Sequence, residues 1–203
     1  MNDDLPVNVS RETKDRLDQL AELLTRWNPR INLVAGSTLT DLWTRHIADS
    51  LQIFDYAPPD AQHWVDMGSG GGFPGLVIAV RAMESPSALR VTMIESDQRK
   101  AAFLRTAIRE IGAPATVLAK RIEDVEPLKA DVVSARALAP LPTLLGYVAR
   151  HLRQDGTALL PKGARWAAER DAAQDAWTFS LTTHPSKTDP KGVILQIGDL
   201  AHV

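Results

Sequence analysis

The most constraining feature of this chain is a glycine-packed stretch at residues 64–75, with the sequence WVDMGSGGGFPG. A short apolar segment ends there at an acid and enters a turn rich in glycine, and the apolar run LVIAV follows at residues 76–80. Glycine permits positive φ angles and close approach of a ligand, and so many glycines would be entropically costly in a plain connection. The stretch therefore predicts a strand, a ligand-binding loop and a helix in succession, with Pro74 in the first helical turn.

A second acid indicates what the loop binds. Glu95 follows the apolar segment VTMI at residues 91–94, which predicts a neighbouring strand. An acid at this place in a βαβ unit accepts hydrogen bonds from the hydroxyls of a ribose. We therefore expect a cofactor that carries a nucleoside to lie across the ends of two parallel strands.

The glycine loop can be aligned in two registers, which imply different cofactors. Gly70, Gly72 and Gly75 match the dinucleotide pattern G-x-G-x-x-G, which alone is a weak signal. The other register, D-x-G-x-G-x-G at residues 66–72, resembles the first motif of class I S-adenosylmethionine methyltransferases, where the acid steadies the loop. A nicotinamide enzyme usually needs a second domain to present its substrate, and a chain of 203 residues leaves no room for one. S-adenosylmethionine is therefore the predicted cofactor.

Length and composition exclude several other classes. The 203 residues fit one domain with a small appendage, and the absence of cysteine excludes disulfides and thiolate metal sites. Apolar runs are too short to span a membrane, so we expect a cytoplasmic protein with no membrane partner. The formal net charge of −2 gives no global attraction to nucleic acid, so an RNA partner requires a local basic face.

Two helices are predicted before the glycine loop. Ser10 is the expected N-cap of the first, whose apolar residues recur at helical spacing and are interrupted at residues 28–29 by a turn or a kink. The second is expected to open at Thr38, which forms a capping-box-like pair with Asp41.

Strands and helices alternate after the loop, and the last two strand-like segments, at 176–183 and 192–197, are joined too closely for a crossover helix. The predicted fold class is α/β: a Rossmann-like, mostly parallel seven-stranded sheet with a terminal antiparallel hairpin, preceded by N-terminal helices. We expect residues 1–60 to form a helical extension packed on the core and residues 61–203 to form a class I methyltransferase domain. Further helices are predicted at 97–111, 140–152 and 164–175, and further strands at 115–119, 131–134 and 157–160 after a turn at 155–156.

Several local strings resemble the RsmG family, also called GidB, of 16S ribosomal RNA guanine-N7 methyltransferases. The resemblance covers most of the chain, and the FPG ending of the glycine loop is its most distinctive part. Some members carry serine where this chain has Ala135, which leaves the placement of Arg136 unchanged. The matching strings are WN at 27–28, INL at 31–33, RHIxDSL at 45–51, GSGGGFPG at 68–75, ESDxxK at 95–100, RIE at 121–123, SARALA at 134–139 and PKG at 161–163.

The resemblance implies cofactor contacts from four segments of the chain. The glycine loop would meet the methionine and adenosine side, the acid after the second strand would meet the ribose, and a later pair would flank the adenine. These residues are Gly68, Gly70, Gly72 and Phe73 in the loop, Glu95, Ser96 and Asp97 at the ribose, Ile122 and Glu123 beside the adenine, and Arg136 on the floor or rim of the pocket.

The implied chemistry needs no general base, because guanine N7 has a free lone pair and no proton to lose. Catalysis would come from holding N7 in line with the methyl–sulfur bond. Asn32, Arg45, His46 and Lys162 are candidate substrate residues, although each also fits a structural role in a turn, on a surface or at the edge of the core. We expect no metal site.

The predicted activity is methyl transfer to N7 of a guanine in 16S rRNA, with the rRNA or the small ribosomal subunit as partner and a monomeric enzyme. A methyltransferase acting on a small molecule or protein is the first alternative, because its cofactor motifs would be the same. A nicotinamide oxidoreductase and a non-catalytic RNA-binding module are the others.

Overall fold

The computed structural model describes residues 8–84 and 88–203. Seven strands form one sheet in the order β3-β2-β1-β4-β5-β7-β6. The first five run parallel, whereas β7 lies antiparallel between β5 and β6. This confirms the predicted sheet and its terminal hairpin. The strands are β1 (His63–Met67), β2 (Arg90–Ile94), β3 (Ala115–Leu118), β4 (Ala130–Ala135), β5 (Leu152–Lys162), β6 (Trp177–Pro185) and β7 (Val193–His202).

Helices cover both faces of the sheet. A π-helical segment, Trp43–Ala48, runs directly into α2, and short 3₁₀ turns occur at Gly36–Thr38 and Ile122–Asp124. None of the helices in the described ranges combines the length and the apolarity needed to cross a bilayer. The helices are α1 (Arg11–Ile31), α2 (Asp49–Phe54), α3 (Gly75–Ala82), α4 (Gln98–Ile111), α5 (Leu141–His151) and α6 (Trp166–Ala173).

The first helix begins as predicted, because the Ser10 side chain accepts a hydrogen bond from the Thr13 N–H. The predicted turn at residues 28–29 is wrong, since α1 continues through Pro29 to Ile31. The buried Asn28 stabilises this last turn: its carbonyl accepts the Asn32 N–H and its side-chain oxygen accepts the Val34 N–H. Pro29 therefore costs one helical hydrogen bond without ending the helix.

The capping box predicted at Thr38 does not form. The Thr38 hydroxyl donates to the Ala35 carbonyl and is hydrogen-bonded by His46, so it caps no helix. The predicted turn at residues 155–156 is also wrong, because both residues lie within β5. Opposite them the β4–β5 register shifts between Ala130 and Val132, a bulge that lets the longer strand continue.

Two apolar layers enclose the sheet. Successive strand residues point to opposite faces, so Trp64 packs in the layer under α1–α4 and Val65 in the layer under α5 and α6. The buried side chains Leu17, Leu20 and Leu24 place α1 in the same core as α3 and α4. Residues 1–7 of the predicted extension lie outside the described residues.

Candidate cofactor and substrate site

The carboxyl ends of β1, β2 and β4 meet at the point where the strand order reverses. The chain continues from β1 to β2 on one side of β1, whereas β4 pairs with the other side of β1. In open α/β sheets, ligands bind in the crevice at such a switch point. The glycine loop, Glu95 and the segment after β4 all lie at this edge, so the predicted site residues from these segments are brought together.

The glycine loop adopts backbone conformations that side chains rarely tolerate. Gly68 and Gly70 have φ angles of 68° and 53°. A Cβ atom at Gly68 would lie 2.7 Å from Leu138 Cδ1, whereas one at Gly70 would meet only the Gly68 carbonyl oxygen at 3.8 Å. The space above Gly70 is therefore open, as a ligand that approaches the backbone requires. Gly72 is buried against Leu76 at the start of α3.

Asp66 at the end of β1 ties the loop to the sheet. Its carboxylate accepts the Gly75 N–H at 3.1 Å and the Ser134 hydroxyl at 2.7 Å, and Ser134 Oγ in turn accepts the Trp64 indole N–H at 2.8 Å. Burial raises the pKa of Asp66 to about 6, against these hydrogen bonds. The prediction that this acid steadies the loop is confirmed by its bond to the first residue of α3.

Glu95 links the glycine loop to the start of α4. One carboxylate oxygen accepts the Gly70 N–H and the other accepts the Asp97 N–H, each at 2.8 Å. Each oxygen of a carboxylate has two acceptor positions, so both retain one for a hydroxyl group. The Glu95 carboxylate is buried beside the open space above Gly70. It accepts hydrogen bonds and donates none, so it fits the two hydroxyl groups of a ribose.

The two residues after Glu95 differ in what they can offer a ligand. Ser96 is exposed. Asp97 is the N-cap of α4, where one carboxylate oxygen accepts the N–H groups of Lys100 and Arg99. These backbone hydrogen bonds lower the pKa of Asp97. Asp97 therefore caps α4 with its side chain and donates its backbone N–H to Glu95.

Ile122 and Glu123 form the 3₁₀ turn beyond the carboxyl end of β3. Ile122 is buried, and Glu123 is exposed and accepts the Tyr147 hydroxyl at 2.7 Å. The turn therefore places a buried apolar side chain and a carboxylate hydrogen-bonded to Tyr147 beyond the carboxyl end of β3, at the sheet edge where Glu95 also lies.

Arg136 is the centre of a cluster that joins three segments. Its guanidinium donates to the Arg45 carbonyl at 3.1 Å, to the Asp49 carboxylate at 3.2 Å and to His46 Nδ1 at 2.7 Å. The Phe73 ring of the glycine loop lies beneath, 5.2 Å from the guanidinium carbon and stacked 5.0 Å from the imidazole. Arg136 therefore fixes the start of α2 and the residues before it against the glycine loop.

The hydrogen bonds define which nitrogen of His46 carries the proton. A guanidinium only donates, so Nδ1 is the acceptor and Nε2 bears the hydrogen. Nε2 donates to the Thr38 hydroxyl at 2.8 Å, which passes its own hydrogen to the Ala35 carbonyl at 2.7 Å. Burial, Arg136 and Arg45 lower the pKa of His46 to about 4. At neutral pH the imidazole is therefore uncharged and acts as an acceptor that aims Arg136.

The His46 imidazole is expected to titrate near pH 4, measured by NMR from its ring carbon–proton signals. Since its folded pKa lies below the ordinary value of 6.5 for histidine, the stability that neutral His46 contributes is present above pH 6.5. That contribution is lost as the pH falls through 4, where the protonated ring no longer accepts from Arg136. An imidazole midpoint at or above 6.5 would contradict the hydrogen-bond network.

A cleft of about 420 Å³ adjoins the cluster, between the segment after β4 and the ends of β5 and β7. Lys162 lies in its wall, but its ammonium donates to the Ala139 carbonyl at 2.9 Å and to Glu169 at 2.8 Å. Glu169 also accepts the Leu141 N–H, so this pair holds the post-β4 loop in place. The other cations in the lining are Arg136, which is itself paired with Asp49, and Arg165.

Three predicted substrate residues, Asn32, Arg45 and His46, do not line that cleft. Asn32 is exposed at the C-cap of α1, and the carbonyl of its neighbour Leu33 lies 3.3 Å from the Cβ position of Gly71. The exposed Arg45 side chain borders a smaller cavity of about 320 Å³ with Asp189. Asn32 therefore lies near the glycine loop and Arg45 lies near Arg136, and neither residue lines the cleft that contains Lys162.

Sequence reasoning missed Asp49, Leu138 and Arg165. Asp49 follows Arg45 and His46 at helical spacing within the RHIxDSL string, a signal that these residues share a face. Leu138 and Arg165 carried no comparable pattern, because their places depend on how the loops after β4 and β5 fold.

Solved structures share this architecture. A TehB-like S-adenosylmethionine-dependent methyltransferase from Corynebacterium glutamicum gives a TM-score of 0.60 at 14% identity, over 90% of this chain and 98% of that one. An O-methyltransferase from Bacillus cereus, in complex with SAH, gives 0.60 at 12% identity, over 96% and 94%. The fold is thus that of the class I S-adenosylmethionine-dependent methyltransferases, and the glycine loop and Glu95 occupy its switch point.

Sequence comparison identifies the family within this class. The family model described as GidB, rRNA small subunit methyltransferase G, matches residues 13–192. Ribosomal RNA small subunit methyltransferase G of Paracoccus denitrificans is 53% identical over 197 residues, 97% of this chain and 100% of the relative. The protein of the same name from Ruegeria pomeroyi is 52% identical, over 97% and 96%. The chain belongs to the rRNA small subunit methyltransferase G family, which confirms the predicted family.

Proposed function

We propose that this protein transfers the methyl group of S-adenosylmethionine to N7 of a guanine in 16S rRNA. The observation that carries the proposal is the open space above Gly70, bounded by Glu95, in a chain whose relatives are named for methylation of small-subunit rRNA. Arg136, which packs on Phe73 of the glycine loop, also lines the cleft of about 420 Å³. A cofactor and a base can thus approach from two sides.

The cofactor residues are proposed with the roles that their positions support. Glu95 accepts hydrogen bonds from the ribose, with Ser96 and Asp97 at the rim of the same pocket. Gly68, Gly70 and Gly72 allow close approach of the methionine part, Phe73 and Arg136 close that end, and Ile122 and Glu123 flank the adenine. S-adenosylmethionine supplies the methyl group, and the lone pair of N7 displaces its sulfur, so no proton has to be removed.

Positioning is the main task of the protein in this reaction. Holding two reactants in line contributes several kcal/mol to catalysis. We propose that His46 acts through Arg136 and that Lys162 acts through the Ala139 carbonyl, each by fixing a wall of the cleft. Arg45 and Asn32 are proposed to contact the rRNA from the exposed surface beside the glycine loop.

The substrate is proposed to be an unpaired or splayed guanine. N7 lies on the edge of guanine that faces the deep, narrow major groove of an RNA helix, which side chains cannot enter. A base extruded from its stack can instead reach the cleft beside Arg136. The partner is then 16S rRNA or the small ribosomal subunit, met by a monomeric enzyme in the cytoplasm.

The activity is tested with methyl-labelled S-adenosylmethionine and small ribosomal subunits from cells that lack this gene. Label is expected at one guanine of 16S rRNA, identified chemically as 7-methylguanine. Deproteinised 16S rRNA is the parallel substrate, and subunits from cells that carry the gene are the control that should accept no label. Transfer to a protein or small molecule, with none to either rRNA substrate, would support the alternative class of methyltransferase.

We also propose that residues 1–60 and 61–203 form one folding unit. Leu17 and Leu24 are fully buried in the core that contains Phe103 of α4, and Trp27 packs against that ring with 5.7 Å between centroids. Removing the extension would expose this apolar surface to water.

A further inference from the structure

A groove between α1 and α4 combines an apolar floor with unpaired cations. Leu23, Trp27 and Ile31 line it together with Arg26 and Arg30 of α1, and its volume is about 540 Å³. Arg26 and Arg30 are exposed, and no other residue within 8–84 and 88–203 forms an ion pair or hydrogen bond with either guanidinium. In a chain of net charge −2, the lining of this groove carries two cations against the single carboxylate of Glu110, so its formal charge is +1.

The α4 side of the groove offers groups for a base. Thr106 and Glu110 complete its lining. The Thr106 hydroxyl donates to the Ala102 carbonyl at 3.0 Å, which leaves its oxygen free to accept, and the exposed Glu110 carboxylate is also an acceptor. The cations on one rim suit the phosphate of a nucleotide. The acceptors on the other rim suit the amino groups of its base.

The groove leads to the proposed methyl-transfer edge. Gln19 donates to the Glu110 carbonyl and Trp27 contacts Phe103, so α1 and α4 run antiparallel and the carboxyl end of α1 points to the edge where α4 begins. Asn32 caps α1 five residues beyond Trp27, and the Leu33 carbonyl lies 3.3 Å from the Cβ position of Gly71. At a rise of about 1.5 Å per residue, Trp27 is roughly 8 Å along the helix from that cap.

We infer that this groove binds an unpaired segment of the rRNA that flanks the target guanine. Phosphates lie on Arg26 and Arg30, and one base lies against the Trp27 indole, which is only partly buried. The inference rests on the proposed function, because it names the surface that brings rRNA to the same site. It also supplies the basic face that the net charge of the chain does not provide.

The test compares Arg26→Gln/Arg30→Gln with a control of equal charge change, Arg11→Gln/Arg90→Gln. Arg11 starts α1 and Arg90 starts β2, both at the opposite edge of the sheet. Binding to deproteinised 16S rRNA is measured over a range of salt concentrations. The groove variant is expected to bind about 10-fold more weakly at low salt, and its slope of log affinity against log salt should be shallower by about 1.4, as for two lost single-strand phosphate contacts.

Methyl transfer to undermodified small subunits provides the second readout. The groove variant should raise the KM for subunits about 10-fold at unchanged kcat and unchanged affinity for S-adenosylmethionine, and the control variant should match the wild type. Trp27→Leu should weaken rRNA binding while retaining the wild-type salt slope, since stacking involves no counterions. If the wild type forms 7-methylguanine and the groove variant equals the control in salt slope and KM, the groove assignment is overturned. Absence of transfer by the wild type would instead overturn the proposed function.

Discussion

Gly70→Val is expected to abolish detectable binding of S-adenosylmethionine while the protein remains folded. At Gly70 the φ angle is 53°, and a Cβ atom there would meet only a carbonyl oxygen at 3.8 Å. A valine side chain would thus enter the open space beside Glu95 rather than clash with the fold. The left-handed conformation costs an L-residue about 1–2 kcal/mol, which lowers Tm by a few degrees. Calorimetric titration should show an affinity loss of more than about 100-fold.

Gly112→Val is the matched control for that experiment. Gly112 has a φ angle of 73°, and a Cβ atom there would meet nothing within 4 Å. It lies at the C-cap of α4, away from the carboxyl edge of the sheet. The two variants should therefore lose similar stability, and only Gly70→Val should lose the cofactor. Equal affinities in the two variants would show that the loop does not bind the methionine part of S-adenosylmethionine.

The parts of the fold that follow local rules could be predicted from the sequence. The glycine loop, Asp66 and Glu95 lie where their spacing placed them, because a strand–loop–helix succession and its flanking acids are determined by adjacent residues. One error occurs where a residue eight positions away uses the predicted capping group. Thr38 caps no helix because its hydroxyl is hydrogen-bonded by His46.

The contacts within the site depend on residues far apart in the chain, and this is why the sequence could not show them. Glu95 reaches Gly70 across 25 positions, and Arg136 reaches His46 across 90. Lys162 looked like an open ligand-facing cation after a strand, but Glu169 in the next helix neutralises it. A pattern identifies which residue types are present, whereas pairing of this kind is determined only when the chain has folded.

Arg136→Gln is expected to reduce methyl transfer by roughly 100- to 1,000-fold and to weaken cofactor binding. The substitution removes donors from three partners: the Arg45 carbonyl, Asp49 and His46. Hydrogen bonds that involve a charged group contribute about 1.5–3 kcal/mol each. The expected rate loss corresponds to about 3–4 kcal/mol, which is the contribution of one or two of these bonds. It also removes the cation above Phe73, so the glycine loop loses a contact on its outer face.

Two further variants show whether geometry or charge is responsible. Arg165→Gln removes a positive charge from the same cleft, and it should alter the KM for rRNA without changing cofactor affinity. Arg136→Lys keeps the charge, but the lysine ammonium lacks the planar set of donors with which the guanidinium reaches three acceptors. This variant should therefore behave like Arg136→Gln. The His46 pKa should rise in Arg136→Gln, because a neighbouring cation is removed, yet stay below 6.5, since burial remains the larger cause. If Arg136→Lys recovers wild-type transfer, charge alone is sufficient and the positioning role of the guanidinium is wrong.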